Sequence, residues 1–346
     1  MLNIAVVGCG YWGPNHVRNF NNLTDCAVTR VCDLDSKRLA HITKLYGTIT
    51  PTNDYDELLT DSSVDAVVIS TPVSLHYSMA KKALKSGKHV LIEKPMTKTS
   101  AEAIELIELA RKKNLKLMVG HTFIYNPVVS KIKEIIADGA LGDILYISSR
   151  RLNLGLFQSD INVAWDLAPH DISIILHLME KYPESVNCQG KGNIREDIED
   201  ITNMTLNFDG RGFATIQSSW LDPNKVREMT IVGSRRMLVY NDMESMEKIK
   251  IFDKRVENPP YYDTFADFHF SYHYGDVYAP YVKQIETLQI QCQHFIDCIL
   301  KDHDPQSSGL HGLQVVRILE AATASLRNGG AKVDLAEERM LAAVGA

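Results

Sequence analysis

Residues 3–8, "NIAVVG", form a continuous apolar run of the kind a parallel strand makes when both its faces are buried. Three glycines interrupt the chain at Gly8, Gly10 and Gly13, and Pro14 fits the first turn of a helix, where its missing N–H costs nothing. That helix continues through "NHVRNFNN", and a second strand, "AVTRVCD", ends at Asp33. The alternation persists, predicting helix 35–45, a short strand near 48–51, helix 53–59 and strand 65–71. Helix 74–86, strand 89–95, helix 100–113 and strand 116–120 follow. Alternation of this length predicts an α/β fold, a doubly wound parallel sheet with helices on both faces. After residue 140 the pattern changes to β-rich stretches: "DILYISSRRL", "DITNMTLNF", "GFATIQSSW", "VREMTIVG", "RMLVYND" and "EKIKIFD". Short turns such as Asp209-Gly210 between them are hairpin signals.

Composition narrows the class. At 346 residues the chain is long for one core and predicts two domains. Net charge is −6, with no basic stripe, which excludes a nucleic-acid polymer as partner. No apolar run approaches the ~18 residues of a membrane span, and no signal-peptide pattern precedes the first strand. Six cysteines at 9, 26, 32, 188, 292 and 298 form no C-x-x-C pair and sit mostly in apolar surroundings. They read as reduced, buried thiols of a cytoplasmic protein.

The order strand, glycines, helix, strand, acid has a physical purpose. Gly8 permits a tight turn, Gly10 lets the backbone approach a pyrophosphate, and Gly13 lets the helix pack closely on the strand. The phosphates meet the unpaired N–H groups and positive dipole of the helix N-terminus. Asp33, twenty residues after Gly13, is placed to accept hydrogen bonds from a ribose diol, and it repels a 2′-phosphate, which favours NAD over NADP. Tyr11 and Trp12 either wall the cofactor or plug the space under the loop. Lys37 and Arg38 read more simply as solvated charges than as holders of a 2′-phosphate. In an open sheet the ligand lies at the carboxyl ends of the strands, here Gly8, Asp33, Thr71-Pro72, Glu93-Lys94-Pro95 and Gly120-His121.

Glu93-Lys94-Pro95 at such a strand end resembles the E-K-P motif of the glucose–fructose oxidoreductase / inositol dehydrogenase (Gfo/Idh/MocA) family. "STPVSLHY", with Thr71, Pro72 and His76, resembles the family's T-P-x-x-x-H stretch. "HTFIYNP", ending Asn126-Pro127, resembles its entry to the second domain, and "WDLAPHD" resembles D-x-G-x-H through Asp166 and His170, with Ala168 in place of the usual glycine. The closing helix "GLQVVRILEAATASLRNGG" is also similar. The resemblance implies a Rossmann domain over residues 1–121 and, over 122–346, an α/β domain with a large, mostly antiparallel sheet for substrate binding and oligomerisation as a dimer or tetramer. It assigns Gly8, Gly10, Tyr11, Trp12, Gly13, Asp33, Thr71, Pro72, His76, Glu93 and Lys94 to NAD. "GYWGPN" and "WDLAPHD" further resemble members acting on nucleotide-linked sugars, such as UDP-N-acetylglucosamine 3-dehydrogenases.

Oxidising a secondary alcohol needs a hydride acceptor, a base and positive charge near the developing alkoxide. The nicotinamide is the first. Lys94 leaves its strand at the cofactor edge, and its ammonium stabilises the alkoxide. Pro169 disfavours helical geometry at Ala168, predicting a helix from 169 with His170 in its first turn, where the dipole keeps the ring neutral and able to accept a proton. Asp166, just before that helix, orients the ring or holds the substrate. Arg150 and Arg151 lie at the end of a strand, where alternation turns one of them to the cleft as a candidate grip for a diphosphate; the alternative is that both are solvated or pair with nearby carboxylates. Asn126, Asn153 and Asn162 offer neutral donors and acceptors to a sugar. His177 reads as packing, and the i, i+4 pair His269 and His273 in the aromatic segment 261–281 lacks a third ligand, so no metal is expected. The expected activity is NAD-dependent oxidation of the 3-hydroxyl of a UDP-linked amino sugar. Rival readings are a dehydrogenase of a free polyol such as myo-inositol, an NAD-dependent glycosidase, and a non-catalytic NAD or sugar sensor.

Overall fold

The computed structural model describes residues 1–208, 210, 212–257 and 271–335. They divide into two units: Met1–Asn126 with Ile285–Glu320, and Pro127–Gln284 with Ala321–Leu335. The expected single boundary at 121/122 gives way to three crossings. The reason lies in α8 (Thr287–Leu300), where Leu288, Cys292, Phe295 and Ile296 recur at helical spacing on one face. They are buried in the first unit's core with Val17, Phe20 and Tyr125, which draws this late segment back to the first unit.

The first unit contains six parallel strands in the order β3-β2-β1-β4-β5-β6. These are β1 (Leu2–Val7), β2 (Cys26–Cys32), β3 (Thr50–Thr52), β4 (Ala66–Ile69), β5 (His89–Ile92) and β6 (Leu117–Val119). The crossovers are α1 (Gly13–Asn21), α2 (Ser36–Leu45), α3 (Tyr55–Thr60), α4 (Val73–Lys85) and α5 (Ser100–Lys112). β4 is buried at every residue, as an unbroken apolar strand predicts. β4 stops two residues and β5 three residues before the expected limits at 71 and 95, and the chain turns at the carboxyl edge. There Ser70 N–H donates to the Val7 carbonyl (2.8 Å), Glu93 N–H to Ile69 (2.9 Å) and Gly120 N–H to Ile92 (2.7 Å). The ladder is thus carried one step past the strands, aligning the residues that follow. The strand order reverses between β1 and β4, the topological switch point where such sheets take their ligands.

The second unit opens with α6 (Pro127–Ala137), β7 (Ile144–Leu154) and α7 (Val163–Met179). Its remaining strands are β8 (Ser185–Lys191), β9 (Ile201–Asn207), β10 (Phe213–Ser219), β11 (Leu221–Gly233), β12 (Met237–Asn241), β13 (Ile249–Glu257), β14 (Ser271–Tyr278) and β15 (Val333–Asp334). They form a nine-stranded sheet, β14-β13-β12-β11-β7-β10-β9-β8-β15. Only β7 and β10 pair in parallel; the other pairings are antiparallel. Asp209 and His269 lie outside the described residues, while Asn207 and Phe213 pair directly across the predicted hairpin. α9 (Gly309–Arg327) runs through the division at Glu320.

Alternation along β7 gives the sheet two faces. Ile147, Ser149 and Arg151 are buried on the face that α7 covers, whereas Tyr146 and Arg150 are exposed on the other. α7 begins at Val163 rather than at the expected 169, with Pro169 inside it. Asn162 is the cap, its Oδ1 accepting the Trp165 N–H at 3.1 Å, an interaction of about 1 kcal/mol. Pro169 forgoes one backbone hydrogen bond, and burial of Ala164, Ala168, Ile172 and Ile175 holds the helix together regardless.

α7 is fastened to the sheet by a buried ion pair. Arg151 Nε donates to Asp171 Oδ2 at 2.7 Å and Nη2 to Oδ1 at 3.1 Å, while Ser149 Oγ donates to Oδ1 at 2.8 Å. Burial opposes the Arg151 cation, but Asp171 outweighs it and holds the guanidinium pKa above its usual value. Removing one partner strands the other as a buried charge. Asp171→Ala should therefore cost about 3–5 kcal/mol in urea unfolding. Arg150→Ala, which breaks a half-exposed pair with Glu228, should cost less than about 1 kcal/mol.

Candidate active site

The glycine loop depends on missing side chains. Gly8 has φ +88°, and a Cβ there would stand 2.7 Å from the Ser70 carbonyl oxygen. A Cβ on Gly13 would come within 2.0 Å of the Gly8 carbonyl oxygen, so α1 reaches the strand end only because residue 13 has none. Gly10 is different: the nearest atom to its would-be Cβ is Arg38 Nη1 at 3.8 Å, which leaves the backbone open to approach. The Ser70 hydroxyl, which the sequence reading passed over, donates to the Gly8 carbonyl at 2.7 Å. Trp12 occupies the N-cap of α1 without a side-chain cap, so the helix terminus faces an incoming anion with its own N–H groups. Tyr11 and Trp12 are exposed and pack edge-to-face at 5.3 Å, which removes the reading of an aromatic plug beneath the loop.

Asp33 closes the loop from the side. Its Oδ2 accepts the Cys9 N–H at 2.6 Å and its Oδ1 the Asp35 N–H at 2.8 Å. Arg38 Nη1 stands 3.6 Å from the same carboxylate. The expected solvated Arg38 therefore reaches back toward the position of the ribose. These residues fit a dinucleotide: an open backbone at Gly10, an uncapped helix end and a carboxylate with acceptor capacity for a diol. Bound there, NAD supplies the hydride acceptor.

Two buried histidines secure the E-K-P turn. His16, on α1 and fully buried, makes a 2.8 Å contact from Nε2 to Glu93 Oε1. Glu93 Oε2 also accepts the Lys94 N–H at 3.2 Å and would touch a Cβ on Gly120 at 3.0 Å. His76, expected at the cofactor, is instead 1 % exposed and spans two turns, with Nε2 2.8 Å from the Thr71 carbonyl and Nδ1 2.9 Å from that of Pro95. Burial pushes its pKa down, and the two carbonyl oxygens push the other way. The ring ties the Thr71-Pro72 turn, which starts α4, to Lys94-Pro95. Lys94 itself is half-buried between these fixed points. His16 was missed because a lone histidine on a helix carries no signal of a partner 77 residues away.

In the second unit, Asp166 and His170 lie one turn apart on the same face of α7, and Trp220 Nε1 donates to Asp166 Oδ2 at 3.1 Å. His170 sits two turns into the helix rather than in its first, so the dipole argument for a neutral ring no longer applies. Asn162 is committed at both ends, to the Trp165 N–H and, through Nδ2, to Glu199 at 2.7 Å. Arg151 is spent on Asp171 and Arg150 on Glu228, directly opposite it in β11, so neither supports the expected diphosphate grip. Asn153 is half-buried near the end of β7, and Asn126 is buried at the last residue before α6. His177 is pushed down to about 4 by burial and Lys133, and His273 pairs with Asp253 at 3.1 Å. All six cysteines are free and buried, and among the described residues no group of three or more metal-ligating side chains occurs.

A glycine loop on a parallel sheet, a ribose-side carboxylate and a lysine at the next strand edges define a class: NAD-dependent oxidoreductases. Residues 2–121 match the NAD-binding Rossmann-fold domain of the Gfo/Idh/MocA oxidoreductase family, and residues 129–239 match that family's C-terminal domain. The chain belongs to this family. It is 24 % identical to the uncharacterized oxidoreductase YrbE of Bacillus subtilis, over 94 % of each chain. It is 32 % identical to a UDP-N-acetylglucosamine 3-dehydrogenase of Acidithiobacillus ferrooxidans, over 60 % of this chain and 64 % of that one. The fold is also that of GenD2 from gentamicin A biosynthesis, solved in complex with NAD, with a TM-score of 0.81 at 20 % identity, covering 97 % and 96 % of the two chains.

The Asp33–Arg38 contact yields a cofactor prediction. The unmodified protein should favour NAD over NADP in kcat/KM. Asp33→Ala should shift that ratio toward NADP by about tenfold or more, because Arg38 is released to hold a 2′-phosphate. Adding Arg38→Ala should remove the gain in NADP use. A wild-type preference for NADP would refute the ribose argument.

Proposed function

We propose that this protein oxidises a secondary ring hydroxyl of a sugar with NAD as hydride acceptor, and that the sugar is a UDP-linked amino sugar oxidised at its 3-hydroxyl. The observation that carries the dehydrogenase part is the E-K-P turn, where a half-buried lysine stands at the ligand edge of the sheet between two turns pinned by buried histidines. In this reading the Lys94 ammonium hydrogen-bonds the reacting oxygen and stabilises the alkoxide. His170 accepts the hydroxyl proton as a neutral ring, and Asp166, held by Trp220, orients it or the sugar. The sugar assignment is supported by the likeness to the UDP-N-acetylglucosamine 3-dehydrogenase, without help from Arg150 or Arg151.

Incubation with NAD and, in parallel, UDP-N-acetylglucosamine or myo-inositol should give NADH and a keto product two hydrogens lighter only with the nucleotide sugar. Lys94→Ala should lower kcat about 10²–10³-fold while NADH binding, followed by fluorescence, is retained. Turnover of inositol with no binding of UDP compounds would overturn the sugar assignment. Release of free sugar without net NADH would favour the glycosidase reading.

The protein is further proposed to act as a homo-oligomer through the sheet face that α7 leaves uncovered. On it, Tyr146 and Phe213 are exposed, pair across β7 and β10, and stack at 5.8 Å. The half-buried Met237 and Phe252 continue the row through the register of β12 and β13, with the already buried Val232 of β11 between them and Tyr146. A second copy laid on this row buries it. Light scattering should show a dimer or tetramer, and Tyr146→Glu should shift it toward monomer; an unmodified monomer at working concentration would refute the proposal.

A further inference from the structure

His121 ends the run of carboxyl-edge residues and has no part in the reading above. It follows β6, whose last residues pair with the end of β5, so Gly120-His121 stands beside Glu93-Lys94. Its side chain is 1 % exposed, and among the described residues no protein group lies within hydrogen-bonding reach of either ring nitrogen. His311, on α9, meets the ring edge-to-face at 5.3 Å. Burial first, and then the nearby His311 and Lys94, push its pKa well below the ordinary histidine value, so the ring is neutral and carries one donor and one acceptor.

A buried polar group without a partner is costly, and an apolar ring of similar shape would avoid that cost. At this position the unsatisfied ring lies near Lys94, the residue proposed above to hydrogen-bond the reacting oxygen. We infer that His121 is a ligand-binding residue of the dehydrogenase site, taking its hydrogen-bond partner from a neutral amide or hydroxyl of the molecule bound beside Lys94. The nicotinamide carboxamide and a sugar hydroxyl both have this chemistry. A neutral ring suits either, since it can donate to a carbonyl or accept from a hydroxyl without a second positive charge beside the lysine. The inference rests on the NAD-dependent dehydrogenase reading, which NADH binding by the unmodified protein tests separately.

His121→Phe removes both nitrogens and keeps an aromatic ring against His311; His121→Gln keeps a donor and an acceptor. Thermal unfolding without ligand should show His121→Phe no less stable than the unmodified protein, while its affinity for ligand falls about three- to tenfold. Weaker NADH binding with unchanged ADP-ribose binding identifies the carboxamide as partner. Unchanged NADH binding with a raised KM for the sugar turned over identifies the sugar hydroxyl. His121→Gln should recover most of the loss in either arm. The inference is overturned if His121→Phe lowers the unfolding temperature while NADH affinity and sugar KM stay within twofold. It is equally overturned if those two values stay within twofold at unchanged stability.

Discussion

The carboxyl edge of the first sheet depends on one steric allowance, the missing Cβ of Gly13. A side chain there would overlap the Gly8 carbonyl, so any other residue would push α1 away from the strand end. With α1 held close, His16 reaches Glu93, and Glu93 lies against Gly120 and the Lys94 backbone. The position of the lysine is therefore linked, through two buried side chains, to the loop that receives the dinucleotide. His76 adds a second tether from the opposite side of the turn. The result is a strand-end turn whose backbone is fixed at Glu93-Lys94-Pro95 by two buried histidines.

The second unit solves a different problem. Its sheet must hold α7 in one register although the helix contains a proline and an apolar face that could slide. The Arg151–Asp171 pair, with Ser149 as a third partner, fixes that register by direction rather than by burial alone. Buried ion pairs contribute little net stability but penalise misalignment heavily. Asp171 is the residue immediately after His170, so the same pair sets the rotation of the helix that carries Asp166 and His170.

Most of the first unit was legible because its signals are local. Apolar runs, glycine spacing and an acid at the end of β2 are all properties of short windows, and the strands and helices appear within a few residues of their expected limits. The start of α7 was misread because two local signals competed: Pro169 argued for a beginning, and Asn162 was the actual cap. For the arginines the sequence left two readings open, a diphosphate grip or a carboxylate partner, and could not choose between them. Alternation says that Arg150 and Arg151 face opposite ways, but not that Glu228 stands opposite one and Asp171 beneath the other.

The sequence by itself determined the parallel sheet, the site of the dinucleotide, the class of chemistry and the β-rich second half, because these follow from periods of two and 3.6 residues and from a motif of fixed spacing. Only the tertiary structure decided which polar side chains are spent on partners within the fold. His16 with Glu93, His76 with Pro95 and Arg151 with Asp171 are pairs separated by 19 to 77 residues, and their meeting depends on strand order and helix docking. A charged or aromatic residue has the same propensity whether it is spent on a buried partner or left for a substrate, and that difference is made by the distance to the other side chain.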